Sequence, residues 1–358
     1  MRKTISLHLL AMLQLLLLAG PGNLPAQDAG SRFITPADSG MARVVSRGTL
    51  LTYQNDFDGA EALFDSLCEA HPESPFGYFY RGATCQARML DGERFWELEN
   101  FKDLMAKTID LAEDLRAERP EDPWFPFAAG SAYLYLGFMD TKKGGMWGAY
   151  RNTVKGVDLL EQALAIDSTF YDAYLGIGSF KYWKSSKAKS LTWLPFIDDE
   201  RERGMEMVQI AIDKGMFTRT VGRDQLAWIY MDGKRYEEAL ELAGSNVSLH
   251  PESRFFRWTY VEILFRMDRW EEAFPVYQGL LNDIRALPVN NHYNEMTCLR
   301  DMAKIAHRRG ETARAVMYLE EMLALDLSEA IAERGAHKTK EARKLLKEYR
   351  RELAASGE

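Results

Sequence analysis

The chain has 358 residues, of which 46% are hydrophobic, so it is long enough to bury a substantial core. Its 45 basic and 53 acidic residues give a formal net charge of -8, which argues against wholesale nucleic-acid binding because neutralising phosphates requires a basic face. Three cysteines are too few for a small disulfide-stapled domain, so the fold must be held together by its core.

The amino terminus begins with the positively charged tripeptide Met-Arg-Lys, followed by an apolar stretch over residues 5–19. This order is typical of a secretory signal peptide, with cleavage after Ala26, where small residues permit it. The stretch is shorter than the roughly 20 residues that span a bilayer, so a retained anchor is the weaker interpretation. We predict a signal peptide over residues 1–26, a disordered lead-in over residues 27–40, and a periplasmic or secreted protein that is soluble after cleavage.

The next residues contain a repeating helix pair. In residues 41–74, the small residues Gly48 and Ala60 allow two antiparallel helices to approach, Phe64 fills the space beyond them, and Pro72 prevents the second helix from continuing. Similar positions recur at a basic spacing of roughly 34 residues. Further units are predicted to begin near Pro75, Pro123, Tyr171, Thr220, Arg254 and Met296.

This order of glycine, alanine, aromatic and proline positions resembles the tetratricopeptide repeat family. The resemblance covers residues 41–329 and implies an all-α fold, a right-handed α–α superhelix of about seven helix pairs. We expect the solenoid over residues 41–336 and a polar capping helix with a tail over residues 337–358. The second to fourth units are each about 48 residues long, which indicates insertions.

In this family the first helix of each unit lines a concave groove. The resemblance therefore implies a row of aromatic groove residues: Phe76, Phe79, Trp124, Phe127, Tyr182, Trp228, Phe255, Trp258 and Phe265. Such a row could grip an extended peptide or stack on sugar rings. The alternative is that several of these side chains pack between neighbouring helices.

Two insertions, residues 139–153 and 181–197, are predicted to be loops on the same edge of the solenoid. Both are rich in lysine and arginine and lack acidic residues over most of their length, although the protein as a whole is acidic. Interleaved aromatic residues suit an anion with an apolar or ring-bearing body, whereas the alternative is a solvated lysine-rich loop. The predicted basic-aromatic patch comprises Lys142, Lys143, Trp147, Tyr150, Arg151, Trp183, Lys184, Lys187, Lys189 and Trp193.

No sequence motif supports catalysis. The chain has neither a helical two-histidine zinc motif nor a Cys-x-x-Cys pair, so we predict no metal and no cofactor. The acidic residues Asp198, Asp199, Glu200 and Glu202 are interpreted as the start of a helix, where carboxylates are favourable, rather than as an acid and base pair. We predict a non-enzymatic exported scaffold for a protein or peptide partner. The alternatives are a transporter-associated binder of an anionic small ligand and a glycan-handling protein.

The cysteines are predicted to be free, buried thiols. In a helix hairpin that turns near residue 72, Cys68 faces the neighbourhood of Gly77. Cys85 then lies about 12 Å away along the helix axis, beyond the roughly 7 Å between Cα atoms that a disulfide tolerates. Cys298 belongs to a much later unit and is out of reach of both.

Overall fold

The computed structural model describes residues 35–187 and 198–356, so the predicted signal peptide and most of the lead-in lie outside the described residues. The described residues contain sixteen helices: α1 (Ser39–Tyr53), α2 (Phe57–Ala70), α3 (Pro75–Asp91), α4 (Leu98–Glu118), α5 (Trp124–Lys142), α6 (Met146–Ile166), α7 (Ala173–Lys187), α8 (Arg201–Lys214), α9 (Arg219–Asp232), α10 (Tyr236–Leu249), α11 (Arg254–Arg266), α12 (Trp270–Arg285), α13 (Tyr293–Arg308), α14 (Thr312–Leu323), α15 (Glu329–Arg334) and α16 (Ala336–Ser356).

The helices α1 to α14 form seven consecutive pairs, and the first helix of each pair begins within three residues of a predicted unit start. Pairs such as α5 with α6 and α7 with α8 pack directly against each other. The predicted all-α fold of about seven helix pairs is therefore confirmed. No helix in the described part of the chain is both long enough and apolar enough to cross a membrane.

The described residues fall into two compact units. Unit 1 comprises Met1–Arg88 and Trp96–Ser253, and unit 2 comprises Met89–Phe95 and Arg254–Glu358, apart from the residues that are not described.

Glycines set the closest helix contacts in unit 1. A Cβ atom on Gly130 of α5 would lie 2.8 Å from the backbone oxygen of Gly156 on α6, and one on Gly178 of α7 would lie 2.7 Å from the backbone oxygen of Gly204 on α8. Because these distances are below van der Waals contact, only glycine permits the two backbones to approach this closely. The spacing predicted small residues on α5 and α7, whereas their glycine partners on α6 and α8 are visible only in the structure.

The connection between α8 and α9 is held by one buried carboxylate. Asp172, which precedes α7, accepts hydrogen bonds from the backbone N–H groups of Met216 at 2.9 Å and Phe217 at 2.7 Å. Burial raises the pKa of Asp172, and these backbone donors oppose the shift. Asp172 therefore determines where the Phe217 side chain enters the core of unit 1.

The last long helix of unit 2, α16, buries a lysine that the prediction of a polar cap did not anticipate. Lys338 is 1% exposed, and its ammonium donates to the backbone oxygen of Tyr293 at 3.1 Å and to Thr297 Oγ1 at 2.5 Å. The same ammonium lies 3.4 Å from the centroid of the Tyr293 ring. Burial lowers the pKa of Lys338 to about 7, so the cap is anchored by an amine that has lost most of its hydration.

The three thiols are free in the structure. A Cβ atom on Gly77 would lie 2.8 Å from Cys68 Sγ, so the α2–α3 hairpin has the register that the sequence predicted. Burial raises the pKa of Cys68 to about 11 and that of Cys85 to about 12, which keeps both thiols protonated and weakly nucleophilic at neutral pH.

Candidate functional site

The two predicted insertions are mainly helical. In residues 139–153, α5 continues through Lys142 and α6 begins after a three-residue turn. In residues 181–197, α7 continues through Lys187, and residues 188–197 lie outside the described part of the chain. The prediction of loops is therefore wrong for the described residues. The extra length extends the helices, since α5 has 19 residues and α6 has 21.

The turn between α5 and α6 is a glycine-dependent helix ending. Gly144 has a φ of 82°, a left-handed conformation that favours glycine. Its N–H donates to the carbonyl of Thr141 at 3.1 Å, and the N–H of Gly145 donates to the carbonyl of Asp140 at 2.8 Å. This pair of hydrogen bonds forms a Schellman motif, which ends α5 and sends α6 back along it.

A cluster of exposed apolar side chains begins directly after this turn, and we call it the aromatic tip. It consists of Met146, Trp147 and Tyr150, which are 62%, 79% and 62% exposed. The rings of Trp147 and Tyr150 stack with centroids 6.1 Å apart. A single exposed apolar residue is ordinary, but a contiguous cluster rimmed by polar residues is typical of an interaction site.

A cleft of about 240 Å³ lies beside the aromatic tip, between α5, α6 and α7. Lys184 Nζ lies 5.9 Å from the Phe180 ring centroid, and Lys187 Nζ lies 6.0 Å from the Trp183 ring centroid. The cleft thus combines residues from both predicted insertions. Its lining residues are Gly137, Phe138, Thr141, Met146, Ala149, Tyr150, Thr153, Phe180, Trp183, Lys184 and Lys187.

Acidic residues from neighbouring helices reach part of this cationic edge. Glu200 forms an ion pair with Lys181, and it lies 3.5 Å from Lys184 Nζ. Lys187 is exposed and has no carboxylate within ion-pair distance among the described residues. Partial desolvation lowers the pKa of Lys187, although Asp232 opposes the shift. Lys187 is therefore the cleft cation that has lost hydration without gaining an ion-pair partner in the described chain.

The remaining members of the basic-aromatic patch differ in position. Lys142 is half-buried at the end of α5, Lys143 is exposed in the turn, and Arg151 is exposed on α6. Lys189 and Trp193 lie outside the described residues.

Three predicted groove residues of unit 1 form one buried aromatic cluster. Trp124, which is 8% exposed, packs edge-on against Phe76 at 5.6 Å and Phe127 at 5.9 Å between ring centroids. Two aromatic residues from connecting segments complete the cluster, since Phe170 lies 4.7 Å and Phe217 lies 6.1 Å from Trp124. Phe76, Trp124 and Phe127 therefore pack between neighbouring helices and do not line an open groove.

Two further groove candidates in unit 1 are also buried. Phe79 is fully buried and packs edge-on against Tyr135, with centroids 5.2 Å apart. Tyr182 is 3% exposed, and its hydroxyl lies 3.1 Å from the backbone oxygen of Ile229 and 3.0 Å from Asp232 Oδ2. Both side chains thus have partners within the core.

The other four groove candidates are half-buried: Trp228 in unit 1, and Phe255, Trp258 and Phe265 in unit 2. In unit 2, the rings of Trp258 and Phe265 each lie 6.2 Å from the ring of Tyr277. Lys304 Nζ lies 5.9 Å from the Phe265 ring centroid. These positions keep part of their surface in contact with solvent.

Sequence reasoning missed several residues of the cleft. Met146 is as exposed as Tyr150, but it is neither charged nor aromatic and is therefore absent from the predicted basic-aromatic patch. Phe180 and Gly137 line the cleft from α7 and α5. The run Gly-Gly-Met-Trp-Gly over residues 144–148 was a usable signal, because a glycine turn followed by large apolar residues presents them at a helix start.

Candidate metal ligands are not clustered in the described part of the chain. Within residues 35–187 and 198–356, no group of three or more His, Cys, Asp or Glu side chains could hold a metal ion. Asp199 accepts a hydrogen bond from the backbone N–H of Arg201 at 3.1 Å and pairs with its guanidinium at 2.5 Å. These contacts belong to the start of α8, which agrees with the structural interpretation of the acidic run.

A family model and one solved structure support the fold. Residues 257–328 match a family model described as a tetratricopeptide repeat. A chain of the APC/C hetero-tetramer Cut9–Hcn1 is similar with a TM-score of 0.53 and 14% identity, over 88% of this chain and 57% of that chain. TTC0263, a tetratricopeptide protein of Thermus thermophilus, gives a TM-score of 0.40 and 16% identity, over 62% of this chain and 98% of that chain. A search of curated proteins gave no significant match.

Proposed function

We propose that this chain, whose residues 257–328 match a tetratricopeptide repeat model, is an exported scaffold that binds a segment of a protein partner at the aromatic tip and the adjoining cleft. The tetratricopeptide fold suggests a scaffold for protein or peptide interaction, and such folds bind partners through extended surfaces. Export follows from the signal-like residues 1–26.

The exposure of the aromatic tip carries this proposal. Burying Met146, Trp147 and Tyr150 against a partner would remove large apolar side chains from water, and each such burial contributes about 1.5–3 kcal/mol. Tryptophan and tyrosine are also the residue types that most often dominate binding energy in protein interfaces. The half-buried row of Phe255, Trp258 and Phe265 offers a second, weaker contact surface within unit 2.

The size of the cleft favours a partner side chain over a free small ligand. Pockets that enclose a drug-sized ligand measure about 300–1,000 Å³. The cleft measures about 240 Å³ and is open at one side. A binder of a free anionic solute would be expected to enclose its ligand more completely.

Site-specific photocrosslinking tests the proposal. A benzophenone amino acid placed at Trp147 in the full chain, produced in its native cells, should yield a discrete protein adduct. Val289 of unit 2, which is 53% exposed, provides the matched control position and should not yield that adduct. A Tyr150→Ser substitution should weaken the adduct at position 147, because it removes a second large exposed side chain of the aromatic tip.

An adduct pattern that is the same at both positions, or no adduct at position 147, would contradict the proposed binding site. Amino-terminal sequencing of the adduct tests the proposed export separately. A chain that begins at Gln27 supports signal cleavage, and a chain that retains the preceding residues contradicts it.

A further inference from the structure

The cleft has the dimensions of a receptor for one side chain. It is recessed between three helices, and aromatic and small side chains form most of its lining. Gly137 lets α5 approach α6 closely beside the recess, since a Cβ atom on Gly137 would lie 3.1 Å from the backbone oxygen of Ala149 and 2.7 Å from Thr153 Oγ1. A recess of this kind suits an anchor side chain, whereas a flat apolar surface would suit many partners equally.

The charge at the cleft is unevenly compensated. Glu200 engages Lys181 and approaches Lys184, which leaves Lys187 as the lining cation without an ion-pair partner among the described residues. Partial desolvation lowers the pKa of Lys187, so an incoming carboxylate would restore an interaction that solvent supplies only in part. A cationic partner residue at the same place would be repelled.

We propose that the cleft receives one large apolar or aromatic side chain of a partner segment, and that Lys187 pairs with an acidic residue adjacent to this anchor in the partner sequence. This inference rests on the proposed protein-binding function and specifies the chemistry of the partner. The occupant is a peptide rather than a lipid surface, because the recess between three helices has room for a single side chain.

Three fluorescein-labelled peptides test the inference on the full chain by fluorescence anisotropy. Each has a Gly-Ser framework, and their centres are Trp-Glu-Asp, Trp-Lys-Lys and Ala-Glu-Asp. The Trp-Glu-Asp peptide should bind at least tenfold more tightly than either of the others, because only this peptide supplies both the anchor and the carboxylates. Equal binding of the two tryptophan peptides would overturn the proposed role of charge, and failure of all three to bind would overturn the inference.

Two lysine substitutions, one inside the cleft and one outside it, test the role of charge. Lys187→Met should weaken binding of the Trp-Glu-Asp peptide about three- to tenfold. Lys155→Met removes an exposed cation from α6 that does not line the cleft, and it should leave the affinity unchanged. Both variants remove one exposed charge, so a difference in peptide affinity reports the cleft and not a change in fold. Equal losses in the two variants would overturn the pairing with Lys187.

Vesicles of phosphatidylcholine and phosphatidylglycerol in a 3:1 ratio test the lipid alternative by sedimentation. We expect no binding above that of a Trp147→Ala variant. Co-sedimentation that depends on Trp147 would assign the aromatic tip to a membrane and overturn the inference. If a Trp147 crosslink to a protein persists while the acidic peptide shows no preference, the inference fails and the proposed function stands. If the crosslink is absent, both fail.

Discussion

The two units use the aromatic residues of their first helices differently. In unit 1, Trp124 and Phe76 are buried in a cluster that Phe170 and Phe217 complete from connecting segments. In unit 2, Trp258 remains half-buried beside Tyr277. The inner face of the first helices therefore becomes core where other aromatic residues cover it and partial surface where they do not. The repeat pattern identifies residues that could bind a partner, and the residues packed around each of them determine whether its side chain is buried.

The largest expected effect comes from removing one tryptophan from each unit. Trp124→Ala should lower the free energy of unfolding of unit 1 by about 3–5 kcal/mol, because it leaves a cavity among four aromatic rings. Trp258→Ala should cost about 1 kcal/mol, because its side chain is already partly hydrated. Urea denaturation followed by circular dichroism measures both. If both variants lose the same free energy of unfolding, Trp124 and Trp258 do not differ in their contribution to the core.

Removing the carboxylate that positions Phe217 should have the next largest effect. Asp172→Ala leaves the buried backbone N–H groups of Met216 and Phe217 without their acceptor, so a loss of about 2–3 kcal/mol is expected. Asp198→Ala serves as the control, since Asp198 is exposed and should change the free energy of unfolding by less than about 0.5 kcal/mol. If Asp172→Ala matches this control, the connecting segment does not depend on Asp172.

The buried lysine of unit 2 should make its stability depend on pH. The pKa of Lys338 falls from 10.5 to about 7 in the folded protein, so the unfolded chain binds more protons between these values. The free energy of unfolding should therefore rise with pH from about 7 to 10, by at most about 1.4 kcal/mol per pH unit relative to a Lys338→Met variant. Parallel urea titrations at several pH values measure this difference. A difference that stays constant or shrinks over this window would show that Lys338 remains charged in the fold.

The smallest expected effect concerns the aromatic tip. Trp147→Ala should change the free energy of unfolding by less than about 0.5 kcal/mol, because the side chain is 79% exposed and its packing partner Tyr150 is itself 62% exposed. Comparing this change in unfolding free energy with that of Trp124→Ala in the same unit distinguishes a tryptophan that stabilises the core from one that is exposed to a partner. A thermal melt of the Trp147→Ala variant that falls by many degrees would place Trp147 in the core instead.

Part of the cleft could be predicted from sequence. The order of the helix pairs predicts that four residues lie near one edge: Trp147, Tyr150, Lys184 and Lys187. The structure places Tyr150 and both lysines in the lining of one cleft. The helical state of residues 139–153 could not be predicted, because extra length between two helices is compatible with a loop and with two longer helices alike. The contribution of Glu200 was also missed, since it lies beyond the acid-free segment in sequence.

The sequence alone determined the all-α repeat, its seven units and the register of the α2–α3 hairpin, because these depend on local requirements: a small residue where helices touch, a bulky one beside it, and a helix-ending residue at the close. Only the tertiary structure decided which aromatic residues are core and which face solvent. That outcome depends on residues far apart in the chain, such as Phe170 and Phe217 around Trp124, and on the hydration that Lys338 loses when α16 packs against α13.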